Sequence, residues 1–218
     1  MAVALRPGLS FCTAGDQVVF LDLCEDRYFQ VHGELTAEVR RFLCSRNPRT
    51  EDFPRLLKAG ILRRGERSLA AAEMQLTVAR RRPRSLSQGR GDAIEIAFAL
   101  ISEVRVRRAL RSGGLHKMVE ELIDRRQRIG SPVSPDDPGP SRVIRSFEAA
   151  KLFRSPANLC LSRSIAMVQR LASFGCRAQL VMGVRVSPFA AHSWAQFDDL
   201  VLNDTPEEVA RFEPILVV

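Results

Sequence analysis

The stretch CLSRSIAMVQRLASFGCRAQLVMGVRVSPFAAHSWAQFDDLVLND, residues 160–204, predicts a helix followed by two strands. Its first part has apolar side chains at helical spacing, at Ile165, Val168 and Ala172. Gly175 follows them and is a typical residue to end a helix. Residues 183–204 then have the pattern of a β-hairpin, so this part of the chain is expected to be of the α+β class.

Cys160 is the candidate nucleophile of this stretch. With Asn158 as the N-cap, Cys160 falls in the first turn of the helix, where free N–H groups and the positive helix end lower a thiol pKa. An isolated cysteine is more often a buried structural residue. A histidine on the strand that follows favours the catalytic interpretation, because a thiolate paired with histidine is a strong nucleophile near neutral pH. The backbone N–H of Cys160 is then expected to bind the oxyanion, and a second donor is not assigned.

His192 is the candidate base, and it needs an acceptor on its other ring nitrogen. A three-residue loop at residues 197–199 places Asp204 opposite His192 in the hairpin. A two-residue loop at residues 198–199 places Asn203 on the histidine face instead. The sequence leaves the loop type open. We favour Asp204, because a carboxylate better stabilises the imidazolium that forms during acyl transfer.

The alternation of the strand also puts Trp194 and Gln196 on the face of His192. Trp194 either shields the ion pair from water or is a core aromatic residue, and the sequence does not distinguish these roles. Asp198 and Asp199 are expected to be turn residues without a catalytic function.

Composition limits the class of protein. The 218 residues are 45% hydrophobic and 27% charged, with no apolar run near the roughly 20 residues that cross a bilayer and no signal peptide. A cytoplasmic protein with five reduced cysteines is therefore expected. The net charge of +8 comes mainly from arginines in residues 79–84, 103–111 and 124–128, which are expected to be solvated. No CxxC or HExxH spacing occurs, so no metal site and no cofactor are predicted.

The first part of the chain predicts a small winged-helix-like domain. Residues 17–23 and 27–32 have the pattern of a hairpin, residues 33–46 and 50–60 that of two helices, and residues 61–64 that of a last short strand. Gly60 is the expected residue just past the second helix. We place the domain boundary in the polar segment after Gly65, giving domains at residues 1–75 and 76–218.

The second domain is predicted to begin with two helices, at residues 92–111 and 115–129. Residues 130–141 contain four prolines and are predicted to be a loop that borders a substrate cleft.

Four motifs in the C-terminal stretch resemble the lasso-peptide leader peptidases, the B proteins of lasso-peptide biosynthesis. They are CLxRS at residue 160, GV at residue 183, PFxAHxW around His192 and LND ending at Asp204, at intervals of 32 and 12 residues between the three catalytic positions. The resemblance implies a transglutaminase-like, papain-like cysteine protease domain with a Cys-His-Asp triad at Cys160, His192 and Asp204. Asp199 departs from the family, since many relatives carry glycine there.

The N-terminal part is similar to the PqqD-like recognition elements that bind leader peptides of ribosomally made natural products. The similarity rests on VVFLDLCEDRYFQV at residues 18–31 and on the order of the elements. It implies that the leader adds as a strand beside the third strand and packs on the last helix. The implied contacts, each of which is more often a core residue, are Tyr28, Phe29, Gln30, Val31, Leu56, Leu57 and Ile61.

The resulting hypothesis is a cysteine peptidase that binds the leader of a lasso-peptide precursor and cuts at the leader–core junction. The family implies an ATP-dependent macrolactam synthetase as the partner that receives the core. A transglutaminase-type acyl transferase with the same triad is the alternative, because the chemistry is identical up to the acyl-enzyme. A winged-helix nucleic-acid regulator is disfavoured by the triad and by the small number of aromatic residues. Neither nucleic acid nor membrane is expected as a partner.

Overall fold

The computed structural model describes residues 1–45, 48–65, 77–87, 91–153 and 159–218. The chain divides into two compact units, Met1–Gln75 and Leu76–Val218. Asn158, the predicted N-cap, lies outside the described residues, as do all residues from 66 to 76. The functional assignment of the two units remains a prediction.

The first unit contains two small antiparallel sheets and two helices. Its elements are β1 (Val3–Leu5), β2 (Leu9–Ala14), β3 (Gln17–Asp22), β4 (Arg27–Gln30), α1 (Glu34–Cys44), α2 (Pro54–Lys58) and β5 (Leu62–Arg64). One sheet has the order β2-β3-β4 and the other pairs β1 with β5. The predicted hairpin, helices and last strand are therefore present, with Gly60 at a φ of 68° just past α2. Strands β1 and β2 are not predicted from the sequence. Strand β1 is held in place by pairing with β5 at the other end of the unit's sequence, and a local pattern does not show such a pairing.

The core of this unit lies between the sheet of β2, β3 and β4 and the two helices, and it includes Phe20, Val39, Leu56 and Ile61. Leu56 is fully buried and Ile61 is 4% exposed, so neither offers a surface to a peptide. This corrects the predicted leader surface, from which both residues are removed. The partly exposed members of that surface are Tyr28, Phe29, Gln30, Val31 and Leu57.

The second unit packs helices on a four-stranded antiparallel sheet. Its elements are α3 (Ala93–Gln127), α4 (Pro138–Ala150), α5 (Cys160–Ala172), β6 (Gln179–Val186), β7 (Phe189–Phe197), β8 (Leu200–Val201), α6 (Pro206–Val209) and β9 (Glu213–Val217). The sheet has the order β8-β7-β6-β9. Helix α5 contacts α3, α4, β6 and β7, so it is the central helix of the unit. Gly114 interrupts α3 with a φ of 74°, which agrees with the two helices predicted there.

The proline-rich segment is only partly a loop, which corrects the prediction for residues 130–141. Helix α4 begins at Pro138, and Pro140 also lies in its first turn. Proline is tolerated there because the first N–H groups of a helix have no intrahelical partner. Gly139 is closely packed, since a Cβ at this position would lie 2.7 Å from Phe174 Cδ1.

Among the helices of the described residues, none combines the length and the apolar character needed to cross a membrane.

Candidate active site

Cys160 is the first residue of α5, and its side chain is partly exposed. Leu159 is the N-cap, with φ −110° and ψ −2°, and its carbonyl accepts a hydrogen bond from the backbone N–H of Arg163 at 3.0 Å. Among the described residues, no side chain caps this helix end. The predicted position of Cys160 in the first turn is therefore confirmed, and its thiol lies where the helix end favours negative charge.

His192 lies in β7, directly opposite Gly183 of β6. A Cβ at Gly183 would come within 2.9 Å of Phe212 Cβ and 3.1 Å of the ring of Trp194. Glycine is therefore required at this position, because two aromatic residues approach it too closely to leave space for a Cβ. Gly183 lies in the middle of β6.

The ring of His192 contacts Asp204. The distance between His192 Nε2 and Asp204 Oδ2 is 2.7 Å, and the other oxygen, Oδ1, accepts a hydrogen bond from the backbone N–H of Thr205 at 2.8 Å. Both carboxylate oxygens of Asp204 are thus engaged, which fixes the plane of the carboxylate. Nδ1 of His192 is the nitrogen left for the cysteine side.

The hairpin turn is the two-residue one, since Phe197 pairs with Leu200 and Gln196 with Val201. Regular alternation after this turn would make Asn203 the partner of His192, and that prediction is wrong, because the partner is Asp204. Strand β8 ends at Val201 and Leu202 still bonds to Ala195, but residues 203 and 204 do not continue the alternation of the ladder. The side chain of Asn203 instead accepts a hydrogen bond from the backbone N–H of Ala195.

Electrostatics at the site favour an ionised cysteine. Burial is the largest influence on the Cys160 thiol and raises its pKa, but interactions with His192 and with the side chain and backbone of Ser193 outweigh it. The pKa of Cys160 is therefore lowered from the ordinary thiol value. Cys176, by contrast, has a pKa raised to about 12 by burial and is inert as a nucleophile near neutral pH.

His192 and Asp204 stabilise each other in their charged forms. Burial opposes the charge on His192, but the hydrogen bond that it donates to Asp204 and the interaction with Cys160 raise its pKa to about 9. Burial likewise opposes ionisation of Asp204, while the His192 hydrogen bond, the Thr205 N–H and the charge of Lys151 together lower its pKa. A thiolate beside an imidazolium that is held by a carboxylate can attack a carbonyl carbon and then protonate the leaving group.

Trp194 is a core aromatic residue, one of the two roles that the sequence left open. It is 2% exposed and belongs to a core cluster with Val181 and Phe212. Its ring also stacks near His192, with centroids 6.1 Å apart and an interplanar angle of 25°. The indole N–H donates to Gln196 Oε1 at 2.9 Å, so the ring is fixed in place on the face of His192.

Asp199, where the resemblance departs from its family, has a structural partner. Arg81 forms two hydrogen bonds with its carboxylate, at 2.8 and 2.9 Å. The backbone of Arg81 also continues the sheet, because the N–H of Val201 donates to its carbonyl at 2.9 Å. Part of the basic segment at residues 79–84 is therefore bound to the hairpin, while the side chain of Arg81 stays 65% exposed, as expected for a solvated arginine.

Two residues near the triad were missed in the sequence. Lys151 Nζ donates to the backbone carbonyl of Asn203 at 2.8 Å, and Ser164 Oγ accepts from Asn203 Nδ2 at 2.9 Å. The spacing could have indicated Ser164, which stands four residues after Cys160 and so one helical turn along the same face. No pattern in the sequence connects Lys151 with Asn203.

Within the described residues, no group of three or more His, Cys, Asp and Glu side chains is arranged to hold a metal ion. The candidate site consists of Cys160, His192 and Asp204, with Trp194 and Phe212 beside the histidine. The remaining predicted binding residues lie in the first unit.

Comparison with known proteins adds two similarities. Residues 100–217, from within α3 to the end of β9, match the transglutaminase-like superfamily. The chain is also similar to the microcin J25-processing protein McjB of Escherichia coli, with 45% identity over 47 residues. That similarity covers 22% of this chain and only 23% of McjB. No solved structure matches the chain.

The superfamily match includes every element that carries Cys160, His192 and Asp204, while residues 1–99 lie outside it. Since the matched region is more than half of the 218 residues, the chain belongs to the transglutaminase-like superfamily.

Proposed function

We propose that this protein is a cysteine peptidase that removes the leader from a lasso-peptide precursor by cutting at the leader–core junction. The observation that carries the proposal is the 2.7 Å contact between His192 and Asp204, beside a cysteine of lowered pKa at a helix start. This is the arrangement that nucleophilic attack on a peptide carbonyl requires.

In the proposed reaction, the thiolate of Cys160 forms a bond to the scissile carbonyl carbon. The carbonyl π electrons move to oxygen, and the backbone N–H of Cys160 donates to the oxyanion. His192 then gives its proton to the amine as the C–N bond breaks, which leaves an acyl-enzyme and a free new N-terminus. Water attacks the thioester with His192 as the base, and cleavage of the C–S bond releases the leader and restores the thiolate.

The proposed substrate class is supported by the four motifs and by the similarity to McjB, whose name describes processing of microcin J25. We infer that the substrate is a ribosomally made precursor with an N-terminal leader. The reaction itself needs no cofactor. We propose that the released core passes to an ATP-dependent macrolactam synthetase, and that the reaction occurs in the cytoplasm, since five free cysteines suit a reducing compartment.

The first unit is the proposed leader-binding domain of the PqqD-like type. Among the strands that the structure describes, β4 is an edge of its sheet, which is the position where a peptide is added as a further strand. Tyr28, Phe29, Gln30 and Val31 lie along this edge or just past it, and Leu57 lies on α2. Binding of the leader at a separate surface raises the local concentration of the junction at the active site.

The test is mass spectrometry of a precursor encoded beside this gene, incubated with the wild-type protein and with Cys160→Ala. We expect one new cut by the wild-type protein, none by the variant, and leader binding by both. Full cleavage by Cys160→Ala would exclude Cys160 as the nucleophile.

The same reaction with an added primary amine tests the alternative acyl transferase. A product joined to the amine in place of a free new terminus would show that the acyl-enzyme is transferred and not hydrolysed.

A further inference from the structure

The three segments that carry the proposed catalytic residues are joined by one buried chain of hydrogen bonds. Each residue of this chain is close in sequence to a member of the triad. Ser164 stands one helical turn after Cys160, Ser193 follows His192, and Asn203 precedes Asp204. Ser164 is fully buried and Asn203 is 6% exposed, so water does not compete for these bonds.

The chain of bonds has a consistent direction of donation. Asn203 Nδ2 donates to Ser164 Oγ at 2.9 Å, and Ser164 Oγ donates to the backbone carbonyl of Ser193 at 3.0 Å. At its other side, Asn203 Oδ1 accepts from the backbone N–H of Ala195 at 2.8 Å. The network thus connects α5, β7 and the segment after β8. The bond between Asn203 and Ser164 joins two side chains, and the bonds to Ser193 and Ala195 each join a side chain to the backbone of β7.

The side chain of Asn203 accepts the hydrogen bond that the backbone of a continued strand would otherwise accept from Ala195. Leu202 still donates to the carbonyl of Ala195 at 2.9 Å, but beyond it the chain leaves the ladder. The N–H of Ala195 would then be buried without a partner, which costs about 1–3 kcal/mol. The amide oxygen of Asn203 supplies that partner and allows the backbone to turn, so that Asp204 meets His192.

Only an amide meets both requirements. A carboxylate at residue 203 could accept from Ala195, but it has no hydrogen to donate to Ser164. Lys151 also binds this residue, since its Nζ donates to the backbone carbonyl of Asn203 at 2.8 Å.

We propose that Ser164 and Asn203 are positioning residues that hold the strand of His192 and the carboxylate of Asp204 in register with the helix that carries Cys160. The inference rests on the proposed function, in which these three residues form the triad. Neither positioning residue touches the reacting atoms, so both act through the triad.

The first test is Ser164→Ala, which keeps the helix and removes one hydroxyl. Its matched control is Ser146→Ala in α4, because Ser146 is also fully buried and also bridges two distant segments, accepting from the backbone N–H of Asp92 at 3.0 Å. We expect kcat for precursor cleavage to fall about 10-fold or more in Ser164→Ala with KM nearly unchanged, since small displacements of reacting groups are costly. Ser146→Ala should lose similar thermal stability and keep its kcat.

The second readout needs no substrate. The rate of Cys160 alkylation by iodoacetamide is followed against pH by mass mapping of the Cys160 peptide, because Cys24 and Cys44 are also exposed. We expect the midpoint to move to higher pH in Ser164→Ala and to stay in place in Ser146→Ala. Equal midpoints in both variants, or an unchanged kcat in Ser164→Ala, would overturn the inference. If the wild-type protein cut no precursor, the proposed function would fail, while the alkylation profile would still decide the positioning role.

Asn203→Asp supplies an isosteric second variant should Ser164→Ala fold poorly. The double variant should lose little more activity than the more severe single variant, because both changes break the same chain of bonds. Additive losses would contradict a shared role.

Discussion

His192 lies between two groups that favour its charged form, and this decides the pH range of the site. Asp204 and Cys160 raise its pKa to about 9 against the effect of burial, while the pKa of Cys160 is lowered. The thiolate and the imidazolium therefore coexist between the lowered thiol pKa and about pH 9. Because the two groups interact, the two limbs of a rate profile belong to the pair.

Asp204→Asn is expected to narrow this range from both sides. Removing the carboxylate removes the main group that favours imidazolium, so the pKa of His192 falls and the alkaline limb moves to lower pH. Cys160 then has less positive charge beside it near neutral pH, so the acid limb moves to higher pH. Profiles of kcat/KM against pH for the wild-type protein and the variant measure both shifts.

The control for this prediction is Asp198→Asn, the same change at an exposed residue of the hairpin turn. Its profile should match that of the wild-type protein. An alkaline limb that stayed near pH 9 in Asp204→Asn would mean that Asp204 does not set the charge of His192.

The three candidate residues themselves could be found from the sequence, but the function of Asn203 could not. A cysteine at a helix start and a histidine on a following strand are local patterns. The choice between Asn203 and Asp204 depended on where β8 ends, and this is decided by the contacts of Asn203 with Ser164 and Ala195.

Helix α5 is more buried than its sequence pattern indicates. The apolar stripe predicts one buried face, yet all seven residues from Ser162 to Val168 are buried, including Arg163. Arg163 Nε donates to Glu103 Oε1 of α3 at 2.9 Å, and the side chains are 8% and 0% exposed. The net contribution of such a buried pair to stability is small, because desolvation of the two charges offsets their attraction, but removal of one partner alone is strongly destabilising.

Arg163→Met is expected to lower the free energy of unfolding by about 3–5 kcal/mol, because it leaves Glu103 as a buried charge without its partner. The double variant Arg163→Met/Glu103→Leu should recover most of that loss, since the unpaired charge is removed as well. Chemical denaturation of both variants and the wild-type protein measures this.

An exposed pair serves as the control. Arg211→Met breaks the contact between Arg211 and Glu208, whose side chains are 59% and 41% exposed. It should lower the free energy of unfolding by about 0.5 kcal/mol or less. A double variant as unstable as Arg163→Met would show that packing, and not the lost charge pair, accounts for the effect.

Elements with strong local signals are predictable in this chain, and elements that depend on distant contacts are not. The start of α5, the break at Gly114 and the hairpin of β3 and β4 follow from local patterns. The sequence predicts a loop at the start of α4, because proline residues at a helix start and in a loop give the same local pattern.

At the scale of the whole molecule, leader binding is proposed for the first unit and peptide cleavage for the second. Val31 lies just past the end of the edge strand β4 and is partly buried. Val31→Asp should raise KM for the precursor by about tenfold, which corresponds to about 1.4 kcal/mol, and leave kcat unchanged. Peptide binding by fluorescence anisotropy and steady-state cleavage measure the two parts.

Thr13→Asp is the matched control, since Thr13 is exposed on β2 at the opposite edge of the same sheet. It adds the same charge and should leave KM unchanged, and melting temperatures of both variants show whether the unit stays folded. A fall in kcat with an unchanged KM in Val31→Asp would argue against leader binding at β4.

The sequence by itself determined the order of helix, hairpin and carboxylate in the C-terminal part, and the residues that carry the proposed chemistry. These depend on side-chain type and on spacing within one or two elements, which a sequence displays directly. Only the tertiary structure decided the partner of His192, the burial of Arg163 and the role of Asn203. Each depends on groups distant along the chain, and the free energy of burying a polar group is fixed by whether such a distant partner is present.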